Sequence, residues 1–224
     1  MTVVGIDACK KGWVVVALGD RGQVAHFIPT IDRIISVVAD VSTIAVDIPI
    51  GLPEQGRRDA DQLARDFVGP RRSSVFAVPV REALMTEDFA EANRISVSLN
   101  GIGISKQSHA LREKILEVDA WLTRAPCPVF EVHPEVSFRR MVGVPIEYSK
   151  KSWAGMTLRR RALKKAGIDV DEIADHAGES AGVDDLLDAA AAAWSADRIE
   201  RGIAMSLPPL AQEPVFGTDQ TIWY

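Results

Sequence analysis

Apolar positions in this chain fall into short runs divided by glycine, proline and charge. Residues 2–6 (TVVGI) are rich in β-branched side chains and read as a buried strand. Residues 12–18 (GWVVVAL) read as a second strand. Gly19-Asp20-Arg21-Gly22 is a turn signal that joins it to a third, residues 24–28, as a hairpin. The period then lengthens. Ile31, Ile34, Ile35 and Val38 recur at helical spacing and predict a helix from Pro29-Thr30 to about Asp40. Residues 43–48 form a fourth strand, stopped by Pro49 and Gly51.

The middle of the chain changes character. Residues 57–68 and 81–94 are expected to be helical, with Gly69-Pro70 and a short apolar stretch at 73–80 between them. Residues 100–104 read as a glycine-containing loop. Leu111, Ile115, Val118 and Leu122 predict a helix over 108–122. Residues of about 55–125 therefore read as a mostly helical insertion within a single domain spanning 1–224. A fifth strand is expected at 129–132, a basic helix at 157–166 and a last long helix at 183–201. The tail from Leu207 reads as irregular, held to the surface by Phe216 or Trp223. Three strands in a meander, then a helix, then another strand is the opening order of the ribonuclease H fold, although other α/β folds share it.

Composition narrows the class. With 224 residues, 47% hydrophobic and 25% charged, the chain is an ordinary globular protein. A net charge of −5 argues against tight, nonspecific or processive binding to nucleic acid. Cys9 and Cys127 lie in no CxxC or CxxH spacing, so two lone thiols in a reducing cytoplasm are expected rather than a zinc site. Asp7, Lys10 and Lys11 interrupt the first apolar stretch, so no signal peptide is expected, and no apolar run approaches a membrane span.

Four acids sit where the pattern is apolar. Asp7 ends the first strand and Asp47 the fourth. Glu131 lies within the fifth, and Asp188 lies in the last helix. A carboxylate in such a place is costly unless it is paired or binds metal. Mg²⁺ and Mn²⁺ take oxygen ligands of this kind. Asp185 and Asp188 are three apart and share a helix face. Ala189 to Ala193 follow, and small side chains let a helix lie close to a sheet. The bland alternatives are turn formers, a salt-bridge role for Glu131, and a helix-capping role for Asp184 or Asp185.

The stretches GIDACKKGWVVV, AVDIPIGLP, RRSSVFAVPVREAL, SKQSHALREKILEVD, VFEVHPEVSF and VDDLLDAAAAAW run in order to about Trp194. Together they resemble the family called domain of unknown function 429, described as ribonuclease H-like nucleases. The resemblance implies a mixed sheet flanked by helices and a nuclease that hydrolyses phosphodiester bonds with one or two Mg²⁺ or Mn²⁺ ions. The closing helix is similar to that of RuvC-type junction resolvases, which carry two acids three apart followed by alanine. By that likeness the metal ligands would be Asp7, Asp47 or Glu131, Asp185 and Asp188.

Two further features bear on substrate. Residues 150–165 (KKSWAGMTLRRRALKK) hold seven basic residues and no acid. They read either as a solvated helix face or as a patch in which Lys150, Lys151 and Arg159 contact phosphates, with Trp153 free to stack on a base. Arg72 and Ser73, within Arg71-Arg72-Ser73-Ser74, suit an anion. His133 is a candidate general acid or base. Glu117 and Asp119 either add acid to the site or pair with arginines. The expected partner is nucleic acid or a nucleotide. The alternatives are an ATP-binding protein of the actin-like and sugar-kinase superfamily, faintly echoed in GIDACKKGW, and a non-catalytic binding module.

Overall fold

A computed structural model describes residues 1–209 and 220–224. The meander is present as β1 (Thr2–Cys9), β2 (Gly12–Gly19) and β3 (Gly22–Ile28). The helix expected over 30–40 is not continuous. A 3₁₀ turn at Ile31–Arg33 leads into a single α turn, α1 (Ile34–Val37). Val38 is already extended, and Asp40 sits at φ 56°. The β-branched run here favours extended backbone over helix, and Ile35 is exposed.

β4 (Val41–Val46) then enters the sheet beside β1. Between β4 and β5 the chain forms five α-helices, α2 (Asp59–Val68), α3 (Arg81–Leu84), α4 (Phe89–Asn100), α5 (Lys106–Ala110) and α6 (Arg112–Trp121), with 3₁₀ turns at Gly69–Ser74 and Leu122–Arg124. β5 (Val129–Glu131) follows, and then α7 (Pro134–Val142), which the pattern reading did not anticipate. α8 (Trp153–Lys165) begins four residues before the expected basic helix, capped by Ser152. α9 (Val170–Ala177), also unanticipated, precedes the long α10 (Val183–Glu200). Near the C-terminus β6 (Ser206–Leu207) pairs with β7 (Ile222–Trp223), and Trp223 stacks edge-on against Phe130. Phe216 lies outside the described residues.

The main sheet is mixed and five-stranded, in the order β3-β2-β1-β4-β5. β2 is antiparallel to both its neighbours, while β1, β4 and β5 run parallel. Helices flank both faces. On one, Val4 and Ile6 of β1 pack with Trp13, Ile44 and Val46, and with Ile115, Val118 and Trp121 of α6. On the other, Val3 and Ala45 meet Ala192 and Ala196 of α10.

Side chains alternate between faces along a strand. Gly5 and Asp7 therefore share Val3's face, and Asp47 shares Ala45's. The Asp47 N–H still donates to the Ile6 carbonyl at 2.9 Å, so the ladder continues one residue past β4. β1 and α10 meet closely at Gly5. A Cβ placed there would lie 1.9 Å from the Ala193 nitrogen and 2.2 Å from the Ala189 carbonyl oxygen. The alanine run thus lets the helix rest on bare backbone, with the N-terminal turns of α10 over the carboxyl ends of β1 and β4. No described helix is long and apolar enough to cross a membrane.

Candidate functional site

Asp7 does not end its strand as expected but lies within β1, two residues before Cys9, while Asp47 follows β4, and the sheet geometry brings these two acids to one place. Asp7 and Asp47 lie on the α10 face of adjacent strands, close enough for each to influence the other's proton affinity. Asp188, in the second turn of α10, reaches the same point from above, and Asp7 feels the charge of both. All three line a cavity of about 250 Å³, with Lys150, Arg71 and His133 on its walls.

The cluster holds more negative charge than its surroundings compensate. Burial drives the Asp7 carboxyl well above the usual carboxylate range, and Asp47 and Asp188 drive it further. Burial lifts Asp47 to about 6, against the opposing pull of Lys150. Burial likewise lifts Asp188 to about 7, again opposed by Lys150. The Lys150 ammonium bonds to Asp188 and lies 3.8 Å from Asp184. Burial disfavours its charge, yet Asp188, Asp7 and Asp47 together hold it protonated above the ordinary lysine range. One ammonium thus serves three carboxylates. As the side chains lie, no group of three acidic, histidine or cysteine residues among those described forms an ion cage.

Residues 5–213 match a family described as a protein of unknown function, DUF429. The chain belongs to the DUF429 family. Neither a curated protein nor a solved structure matches it.

Within this DUF429 chain several other sequence candidates border the same cavity but are engaged in other contacts. Glu131 pairs in register with Val46, which places its side chain on the α6 face of the sheet, opposite to that of Asp47. There it accepts hydrogen bonds from both terminal nitrogens of Arg58, at 2.8 and 2.5 Å, and from the Ile50 N–H at 2.6 Å. Arg58 is fully buried and also bonds to Asp61. Glu131 is therefore a buried ion-pair partner with both oxygens engaged, in line with the bland reading and not the ligand one. Asp185 lines the cavity, but its Oδ2 accepts the Gly182 N–H at 2.9 Å and so closes the first turn of α10.

The anion-binding candidates are also redistributed. Lys150 faces the acids. Lys151, Arg72 and Ser73 are exposed, and the cavity is instead lined by their neighbours Arg71 and Ser74. The Arg71 Nε is buried without a hydrogen-bond partner among the described residues. Arg159 is no phosphate contact. It is fully buried and grips Glu135 through one terminal nitrogen, at 2.7 and 2.6 Å, while the other bonds to the Tyr148 and Gly155 carbonyls. Charge patterning could not reveal this, because the partner acid comes from α7.

His133 caps α7, its Nδ1 accepting the Glu135 N–H at 3.2 Å. Its Nε2 lies 3.4 Å from the Ser74 carbonyl, so Nε2 carries the proton in the neutral ring. Burial lowers its proton affinity. Glu117 and Asp119 stay out of the site. Glu117 accepts from the Trp13 Nε1–H and the Ile31 N–H, and Asp119 forms a two-bond pair with Arg81.

Proposed function

We propose that this protein is a ribonuclease H-like, divalent-metal-dependent nuclease, with Asp7, Asp47 and Asp188 as the metal-binding carboxylates. The observation that carries the reading is their convergence at the carboxyl ends of parallel strands, under-neutralised by a single lysine. The donor chemistry fits. Three hard oxygen donors, buried and starved of positive charge, suit Mg²⁺ or Mn²⁺ and suit no soft metal. When bound, such an ion supplies an activated water and stabilises developing charge on a phosphodiester.

The chain's own residues account for the remaining needs. Lys150 is the resident counter-ion of the acids through its bond to Asp188, a place that a bound divalent ion would share or take over. Arg71, with its unmet Nε donor, offers charge-assisted hydrogen bonds to phosphate oxygens. His133, kept neutral by burial, forms part of the wall, its ring held by the Ser74 carbonyl and the Glu135 N–H.

The test is a cleavage screen over single-stranded, duplex and branched DNA and RNA, with Mn²⁺ or with chelator, run beside Asp7→Asn. We expect Mn²⁺-dependent cleavage by wild type that drops to background in the variant. A metal-independent activity, or one untouched by Asp7→Asn, rules the reading out. If ATP binds and no polymer is cut, the superfamily's nucleotide-binding branch takes its place.

A further inference from the structure

A second concavity lies beside the acid site. It is a groove of about 840 Å³ between α8 and α10, closed at one side by the end of α7. Along α8, Trp153, Thr157, Arg161 and Lys165 recur every four residues and form one stripe facing it. At 1.5 Å per residue the stripe is ~18 Å long. Arg140, Trp194 and Arg198 form the other wall.

The charges of α8 are sorted. On its other faces Arg159 pairs with Glu135, Arg160 with Asp171 and Lys164 with Asp169. On the groove side, Arg161, Lys165, Arg140 and Arg198 form no ion pair among the described residues, and no acid lines the groove. In a chain of net charge −5, four cations around one groove with no ion pair among the described residues mark a surface suited to an anion, although Arg198 also donates to the Ile203 carbonyl at 2.8 Å.

The groove is also aromatic. Trp153 is 76% exposed and Tyr148 54%, values far above what tryptophan and tyrosine show in a protein core. The Arg198 guanidinium already stacks 4.7 Å from the Trp194 ring centroid. Thr157 Oγ1 and Arg198 Nε are buried atoms without hydrogen-bond partners among the described residues. Burial and the neighbouring Arg140 and Arg201 charges lower the proton affinity of Arg198, against the opposing pull of Asp197. Tyr148 of the groove stands two residues from Lys150 of the acid cavity, on the same connecting segment.

We infer that this groove is a track for single-stranded nucleic acid leading to the acid cavity. Bases stack on Trp153 and Tyr148, and phosphates meet Arg161, Lys165 and Arg140. A duplex hides its base faces and so forfeits the aromatic contacts. The inference rests on the proposed function for its substrate, but its test needs no cleavage.

Fluorescence anisotropy with a labelled oligodeoxythymidine of about 12 nucleotides, in chelator, reads binding alone. Trp153→Ala should weaken Kd about tenfold, in line with the loss of one stacked base. Arg161→Gln with Lys165→Gln should flatten the dependence of log Kd on log salt by about 1.4, from about 0.7 per lost phosphate contact. The duplex form should bind more weakly than the single strand.

Unchanged affinity and salt slope in both groove variants overturn the inference. Competition by polyglutamate as effective as by the oligonucleotide, with no effect of Trp153→Ala, assigns the groove to an acidic protein partner and also overturns it. Binding that follows the groove variants while no metal-dependent cleavage is found leaves the track standing and removes only the nuclease reading. Melting curves of each variant guard against loss of fold.

Discussion

Glu131 and Asp47 stand on neighbouring strands, yet one step of the pleat separates their fates. Asp47 extends past Val46 onto the α10 face, while Glu131, level with Val46, turns to the α6 face and meets Arg58. Both are acids in apolar strands, and local sequence treats them alike. What separates them is strand register, which depends on a pairing between segments more than eighty residues apart. The consequence is measurable. Glu131→Gln leaves the fully buried Arg58 with only Asp61 for charge balance. Breaking one partner out of a buried pair is strongly destabilising, so urea denaturation should show a loss of about 3 kcal/mol. The gain in melting temperature on adding Mn²⁺ should remain. A variant that keeps its stability and loses its Mn²⁺ response would return Glu131 to the ligand set. Asp7, Asp47 and Asp188 were legible one by one, because each is a charge in an apolar run. Their separation from Glu131, and the burial of Arg159, were not.

At the level of elements, α10 and β1 make the site by touching. The alanine run of α10 announced a helix lying close to a sheet, and Gly5 supplies the matching gap on the strand. The spacing of Asp185 and Asp188 was equally plain, although only Asp188 reaches the acids while Asp185 closes its own helix turn. Gly5→Ala tests the contact. Its methyl group would meet helix backbone at 1.9 to 2.6 Å, atoms that cannot move singly. The helix must lift away, and overpacking of this severity should cost about 3 kcal/mol. Mn²⁺ stabilisation should fall too, since Asp188 rides on the displaced element. Undiminished stability in denaturant, with an unchanged Mn²⁺ response, would show that the helix is not held by this contact. Other elements were harder to read. α7 starts on Pro134, separated from the end of β5 by two residues, and the apolar pattern gave no sign of a helix there; proline is the first helical residue, where its missing N–H costs nothing. The segment 30–40 misled in the opposite sense. Its isoleucines kept helical spacing, but β-branched side chains and the turn at Asp40 limit the helix to one turn.

For the whole molecule, the acid cluster ties stability to pH in a direction contrary to the usual carboxylate. Asp47 and Asp188 have their folded-state proton affinities raised, to about 6 and about 7. Between the ordinary aspartate range and those values the folded chain holds more protons than the unfolded one, so stability falls as pH rises through this window. Metal-free protein should therefore melt higher at about pH 5.5 than at about pH 8, the cluster contributing on the order of 1 kcal/mol. Buried His133 acts the other way, because its lowered affinity favours the folded state only while the ring is neutral. The difference between wild type and Asp188→Asn removes that background. The variant should be as stable as wild type near pH 5.5 and more stable near pH 8, where wild type must keep Asp188 charged beside Asp47. An ion reverses the order. Binding only the folded state, Mn²⁺ at about a hundred times its Kd adds about 2.7 kcal/mol to wild type, and much less to Asp188→Asn. Because protons compete for the same carboxylates, the gain should shrink as pH falls below about 6. Thermal melts of both proteins across this range, with Mn²⁺ and with chelator, decide the matter. Should the metal-free variant melt lower than wild type at every pH and respond fully to Mn²⁺, Asp188 serves the fold through its bond to Lys150, and the acids at the ends of β1 and β4 must find their ion without it.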